Sequence, residues 1–83
     1  MTKQKLLNLT ISRVDAPVFE GGVISVTVPG TEGEMTLLAD HMALISALKP
    51  GIITIKQADE SVVTHEITSG TLEVHDNHAT ILI

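Results

Sequence analysis

Residues 61–83 read SVVTHEITSGTLEVHDNHATILI, and the pattern of this stretch is the clearest indication of the fold. Two turn signals, Ser69-Gly70 and Asp76-Asn77, divide it into three segments. Within each segment, every second side chain is apolar, with His65 as the exception. The alternating positions are Val63, His65, Ile67, Leu72, Val74, Ala79, Ile81 and Ile83. Because alternation with period two is typical of strands that bury one face, the stretch predicts three antiparallel strands joined by tight turns.

The same alternation continues toward the N-terminus. It places Leu7, Leu9 and Ile11 on one face of a strand, and likewise Ile24, Val26 and Val28, and Ile53 and Ile55. Turn signals separate these segments at Gly21-Gly22, Pro29-Gly30, Glu32-Gly33, 49–51 and 58–61. For the apolar segment Met35–Leu48 we expect short strands with a bend at residues 39–41. The spacing leaves no room for a β-α-β unit, which needs about 30 residues, so we expect an all-β domain.

Length and composition restrict the class of protein. The chain has 83 residues, which is enough for a single domain over 1–83. Val, Ile and Thr make up 27 of them, which favours strands. The net charge of −5 and the single aromatic residue, Phe19, argue against nucleic-acid binding and against base stacking. No cysteine is present, and no apolar run reaches the 18 or so residues of a membrane span, so we expect neither disulfides nor membrane insertion.

Two polar clusters are candidates for chemistry. One contains Glu32, Glu34, Asp40 and His41, and the other contains His75, Asp76 and His78. Carboxylates and imidazoles are the groups used for acid–base catalysis and for metal binding. We interpret both clusters as polar turns, because their residues lack the convergent spacing of a metal site. The sequence also lacks a P-loop and a nucleophile elbow. We therefore predict no catalytic residue, no metal, no cofactor and no small-molecule substrate.

The segment from Met35 to Ile45 holds more apolar side chains than one inward face can bury. They are Met35, Leu37, Leu38, Met42, Ala43, Leu44 and Ile45. Two interpretations remain open at this point. Either the surplus forms a docking patch for a partner, as large exposed apolar patches do, or both faces are buried within the domain.

Four stretches together resemble a known family. They are Phe19-Glu20-Gly21, residues 28–34 (VPGTEGE), residues 41–51 (HMALISALKPG) and residues 69–74 (SGTLEV). In order and spacing they are similar to the N-terminal domain of the epsilon subunit of F-type ATP synthases, called delta in mitochondria. The likeness runs from about Leu7 to Ile83, with Ala43 standing where the family usually has proline. It implies a flattened antiparallel β-sandwich of about ten short strands.

The resemblance implies a non-catalytic part of the rotating central stalk. This domain would couple the gamma subunit to the c-ring of a proton-translocating synthase, on the cytoplasmic face of a bacterial inner membrane. The implied c-ring contact is Gly30, Thr31, Glu32, Gly33 and Glu34. The implied gamma contact is His41, Met42, Ala43, Leu44 and Ile45. Catalysis and proton transfer would lie in other subunits.

Family members usually continue into a C-terminal helical hairpin that inhibits ATP hydrolysis. Nothing follows Ile83 in this sequence, so we expect coupling without that inhibition. Two other classes of function stay open. One is a stand-alone β-sandwich that binds a different protein. The other is a small metal-binding protein that uses His41, His65, His75 and His78.

Overall fold

The computed structural model describes residues 4–83, and these residues form eight strands and no helix. The strands are β1 (Leu7–Ser12), β2 (Pro17–Gly30), β3 (Gly33–Leu38), β4 (Leu44–Leu48), β5 (Gly51–Gln57), β6 (Val62–Ile67), β7 (Gly70–His75) and β8 (His78–Leu82). The predicted all-β class is confirmed. Among these residues no helix is long and apolar enough to cross a membrane.

The strands form one continuous sheet that folds over into two layers. One layer contains β4, β7, β8, β1 and the N-terminal part of β2. The other contains β3, the C-terminal part of β2, β5 and β6. At the far end of β2, Gly30 pairs with Leu48 of β4, which joins the layers again. The described residues contain eight strands where about ten were expected, and the 14 residues of β2 serve both layers as a single strand.

The turn expected at Gly21-Gly22 is wrong, because both glycines lie inside β2. They pair with Leu9 and Asn8 of β1. The irregularity comes just afterwards, where β2 meets β5 and the register shifts between Val23 and Ser25. A bulge of this kind adds one residue and reverses the side-chain alternation beyond it. Val23 is consequently fully buried, whereas Ile24, which was expected on the apolar face with Val26, is half-buried.

One strand pair departs from the expected antiparallel arrangement. β8 lies between β7 and β1, and it runs parallel to β1 from Asn8↔His78 to Ser12↔Leu82. Parallel neighbours need a long connection, and here the six intervening strands provide it. All other pairs in the described part of the chain are antiparallel.

The core lies between the two layers and consists of one cluster of aliphatic side chains. Its buried members are Leu7, Leu9, Ile11, Val23, Val26, Val28, Leu37, Leu48, Ile53, Ile55, Ile67, Leu72, Val74, Ala79 and Ile81. The inward positions predicted from alternation are therefore confirmed for most strands. His65 and Ile83 are half-buried at the rim.

The segment from Met35 to Leu48 has the predicted form of two short strands joined by a bend. The bend begins at Asp40, whose φ of 63° is in the left-handed region. Leu37 is buried, but the side chains of Leu38, Met42 and Ile45 are 54%, 76% and 79% exposed. The surplus apolar side chains are thus not buried on both faces of this domain, which leaves them available for contact with a partner.

Candidate protein-interaction site

The first candidate surface is the acidic turn, residues Gly30–Glu34, which closes the β2–β3 hairpin. Gly30 pairs with Gly33, so only Thr31 and Glu32 form the tip, and both are exposed. Gly33 has a φ of +132°, a backbone conformation that residues other than glycine rarely adopt. Glu34 is also exposed. The turn therefore presents two carboxylates to solvent on a short hairpin.

The acidic turn is fixed to the neighbouring strand by backbone hydrogen bonds. The Thr31 amide donates to the carbonyl oxygen of Ala47 at 3.1 Å, and the Lys49 amide donates to that of Pro29 at 2.9 Å. Both bonds hold the end of β2 against the end of β4. A two-residue turn held in this way has little freedom to change shape.

The second candidate surface is the docking bend, residues His41–Ile45. The His41 amide donates to the Leu38 carbonyl oxygen at 3.2 Å, and the His41 Nδ1–H donates to the Met42 carbonyl oxygen at 2.8 Å. These bonds turn the chain so that Met42 and Ile45 lie on the outside. Leu44 differs from them, because it is half-buried and packs against the core.

Ile45 stands between two shallow depressions on the outer face of β4, β7 and β8. One has a volume of about 390 Å³ and is bounded by Ala43, Val74 and His75. The other has a volume of about 310 Å³ and reaches Leu82. The apolar surface therefore continues from the docking bend across three strands. Glu73, which pairs with Ile45, is a charged group on this surface.

The two candidate surfaces lie at opposite ends of β3 and β4, two strands that belong to different layers. β3 begins at the acidic turn and ends at Leu38, just before the docking bend. β4 begins within the bend and ends at Leu48, which pairs with Gly30. Five residues of strand span about 15 Å. The acidic surface and the apolar surface are thus separate, and the two strands that run between them are each paired to another strand of the sheet, β3 to β2 and β4 to β7.

The residues considered for acid–base or metal chemistry are not brought into one site. Asp40 pairs with Lys5 at 2.9 Å, whereas the His41 ring faces the backbone. His75 bonds to Asp76, and His78 shares a hydrogen bond with Thr10, each at 3.1 Å. Within residues 4–83, no three side chains of the metal-binding types converge on a common point.

No local pattern in the sequence predicts the contact between the β7–β8 turn and Asp40, the residue before the docking bend. The side chain of Asn77 in that turn accepts a hydrogen bond from the Asp40 amide at 2.8 Å and donates one to the Leu6 carbonyl oxygen at 2.9 Å. The dipeptide Asp76-Asn77 indicated only a turn. Nothing in the local pattern shows which distant segments its side chains contact.

Comparison with known proteins decides the family. The family described as "ATP synthase, Delta/Epsilon chain, beta-sandwich domain" matches residues 6–83. The chain belongs to this family. The predicted resemblance is therefore confirmed over nearly the whole sequence, as is the β-sandwich that it implied.

Two curated relatives of this delta/epsilon domain are similar over its whole length or nearly so. The ATP synthase epsilon chain of Sulfurimonas denitrificans is 40% identical over 83 residues, which is 100% of this chain and 62% of the relative. That of Nitratiruptor is 42% identical over 77 residues, which is 93% of this chain and 60% of the relative. The chain thus spans about three fifths of the length of these relatives.

Solved structures give the same fold for the delta/epsilon domain. A chain in the Euglena gracilis mitochondrial ATP synthase, in an assembly described as OSCP/F1/c-ring, superposes with a TM-score of 0.85 and 27% identity over 99% of this chain and 51% of that one. A chain in the Tetrahymena thermophila mitochondrial ATP synthase, described as central stalk/c-ring, gives a TM-score of 0.78 at 22% identity over 98% of this chain and 65% of that one. At 22% identity, the second comparison supports the fold alone.

Proposed function

We propose that this domain is a non-catalytic part of the rotor of an F-type ATP synthase, where it couples the gamma subunit to the c-ring. The observation that carries the proposal is the placement of an acidic surface and an apolar surface at opposite ends of β3 and β4, which are held in the sheet by β2 and β7, respectively. An element that transmits rotation needs two separate contacts and a stiff connection between them. Membership in the delta/epsilon family supplies the context for the proposal.

The docking bend and the adjoining face of β4 form the contact for the gamma subunit. Met42 and Ile45 are large, apolar and more than three-quarters exposed. Removing large apolar side chains of this kind from water is favourable when proteins associate. Ala43 lies beside them, whereas Leu44 supports the surface from within. His41 shapes the bend through its hydrogen bond to Met42.

The acidic turn forms the contact for the c-ring. Glu32 and Glu34 are exposed, so they suit basic side chains on the polar loops of the ring. Exposed ion pairs of this kind add little stability but steer association and weaken with salt. The complex to which the domain belongs lies on the cytoplasmic face of a bacterial membrane and translocates protons.

Replacement of Ile45 by lysine tests the gamma contact. Lysine removes the apolar contact, and Glu73 lies opposite as a favourable neighbour, so the fold is preserved. The matched control is Val14→Lys, since Val14 is a fully exposed apolar residue in the loop between β1 and β2. In calorimetry with the gamma subunit of the same synthase, we expect tight one-to-one binding by the wild type and by Val14→Lys, and at least about tenfold weaker binding by Ile45→Lys.

Absence of gamma binding by the folded wild type contradicts the proposal and leaves a stand-alone protein-binding module as the remaining class. Equal binding by Ile45→Lys and Val14→Lys removes the docking bend as the contact.

The acidic turn is tested separately with Glu32→Gln/Glu34→Gln and with Glu20→Gln/Glu66→Gln as the control, since all four glutamates are exposed. Only Glu32→Gln/Glu34→Gln is expected to weaken binding to the c-ring and to reduce the dependence of that binding on salt concentration.

A further inference from the structure

Asn77 occupies the second position of the tight turn between β7 and β8. Its φ is 59° and that of Asp76 is 49°, so both residues are left-handed, as in a type I′ turn. Asparagine tolerates this conformation better than most residues. The turn therefore explains the residue type at position 77, but it does not explain the direction of the side chain.

The Asn77 side chain joins two segments that are distant in sequence. Its Oδ1 accepts a hydrogen bond from the Asp40 amide, 37 residues away, and its Nδ2 donates to the Leu6 carbonyl oxygen, 71 residues away. The Asn77 backbone oxygen also accepts a hydrogen bond from the Asn8 amide at 3.2 Å. We call the two side-chain bonds the Asn77 bridge.

The Asn77 bridge acts on Asp40, the residue immediately before the docking bend. Asp40 lies outside the strands and has a left-handed backbone with a φ of 63°. Aspartate is among the residues other than glycine that adopt this conformation most often. The Asp40 amide is satisfied by Asn77, so a turn on a different hairpin determines where the chain leaves β3 for the bend.

A second contact ties the same residue to the N-terminal segment. Lys5 Nζ lies 2.9 Å from the Asp40 carboxylate, and both side chains are more than half exposed. An exposed ion pair contributes little to stability because water and salt screen it. The half-buried amide of Asn77 is therefore the stronger of the two side-chain contacts to Asp40, whereas Leu44 and Ile45 at the other end of the bend are held by the pairing of β4 with β7.

We propose that Asn77 is a positioning residue that holds the docking bend in the shape required for binding the gamma subunit. This inference rests on the proposed function. Without the Asn77 bridge, the bend samples other conformations, and only the fraction in the bound shape is competent. Apparent affinity falls in proportion to that fraction.

A matched pair of glycine substitutions isolates the bridge. Asn77→Gly and Asp76→Gly each place glycine at a left-handed position of the same turn, which glycine accepts without strain. Each removes one polar side chain. Only the Asn77 side chain is hydrogen-bonded to Asp40, whereas the Asp76 side chain contacts His75. The difference between the two variants therefore reports the bridge and not the turn.

The first measurement needs no partner. Amide hydrogen exchange of Asp40 and His41, followed by NMR, is expected to be at least about fivefold faster in Asn77→Gly than in Asp76→Gly, because the bond from the Asp40 amide is lost and the neighbouring bond from His41 is weakened. Exchange in the centres of β7 and β8 is expected to be equal in the two variants. Equal exchange of Asp40 and His41 in the two variants overturns the proposal.

The second measurement is association with the gamma subunit. We expect about fivefold weaker binding by Asn77→Gly than by Asp76→Gly, mostly through slower association. Binding lost in Ile45→Lys but equal in the two glycine variants overturns the role of Asn77 and leaves the proposed function standing. Binding unaffected by any of the three variants overturns the docking bend itself.

Asn77→Asp keeps the inference testable if Asn77→Gly does not fold. Aspartate keeps the acceptor for the Asp40 amide but cannot donate to Leu6. We expect exchange at Asp40 to remain slow, while the N-terminal segment around Leu6 loosens. Fast exchange of the Asp40 amide in Asn77→Asp contradicts the inference, because it means that the acceptor at position 77 does not by itself protect the Asp40 amide.

Discussion

Gly30 lies so close to Gly33 that a Cβ on Gly30 would stand 2.8 Å from the Gly33 carbonyl oxygen. The same Cβ would stand 2.9 Å from Cε of Met35. The flexible methionine can move, but the carbonyl oxygen belongs to the paired strand and cannot. The close approach of β2 and β3 at the acidic turn therefore depends on the missing side chain.

Replacement of Gly30 by alanine is expected to lower the free energy of unfolding by about 1–3 kcal/mol, because the backbone must shift to admit the methyl group. Gly21→Ala is the control, since its Cβ would meet only the Phe19 ring at 3.9 Å, an ordinary contact distance. Urea unfolding of both variants measures the difference. Equal midpoints contradict the close packing of the turn.

Leu44 and Ile45 are adjacent apolar residues, but replacing each by a charged residue is expected to change the free energy of unfolding by very different amounts. Leu44 packs against the core, so Leu44→Asp is expected to destabilise the domain by roughly 3 kcal/mol through partial burial of a charge. Ile45→Lys changes an exposed side chain and is expected to stay within about 0.5 kcal/mol of wild type. Thermal unfolding by circular dichroism separates the two. Similar losses in both variants place Ile45 in the core.

The bulge in β2 predicts an unequal pair of alanine substitutions. Val23 is fully buried, so Val23→Ala is expected to cost roughly 2 kcal/mol, whereas Ile24→Ala is expected to cost less although it deletes more atoms. Chemical unfolding of the two variants provides the test. The reverse order indicates that β2 keeps regular alternation through residues 23–25.

Asp59 is expected to titrate below its ordinary value of 3.8. Hydrogen bonds from the Ser61 hydroxyl at 2.6 Å and the Ser61 amide at 2.9 Å lower the pKa of this carboxyl group, because they stabilise its charged form. A lowered pKa contributes stability above pH 3.8, and that contribution is lost as the pH falls through the lowered value. NMR titration of the carboxyl carbon measures the midpoint directly.

Ser61→Ala removes the larger of the two contributions and is expected to raise the pKa of Asp59 toward 3.8. Ser69→Ala, a change to an exposed serine in a different turn, is the control. An unchanged Asp59 midpoint in Ser61→Ala indicates that the hydroxyl bond is not formed in solution.

Local patterns in the sequence predicted the strands but not every relation between them. Alternation located Leu72, Val74 and Ile81 in the core, because these strands bury one face without interruption. It placed Ile24 wrongly, since a bulge depends on the pairing with β5 and leaves no local signature. Gly21-Gly22 indicated a turn because glycine favours turns, but in this fold the pair lies in a strand beside β1.

The two candidate surfaces were located through family resemblance, and their geometry came from the structure. The surplus of apolar residues near Met42 left two interpretations open, and only the exposed fractions of the side chains distinguish them. The contact of Asn77 with Asp40 was not predictable, because it joins residues 37 positions apart through the packing of two hairpins.

The parallel pairing of β1 with β8 has a mechanical consequence. Opposing forces applied along the strands, one near Leu7 and the other near Leu82, slide β1 past β8. The hydrogen bonds of that ladder then share the load and must fail together. By contrast, when a hairpin is pulled open from its free end, its hydrogen bonds break one at a time. A domain built this way resists stretching between its first and last strands.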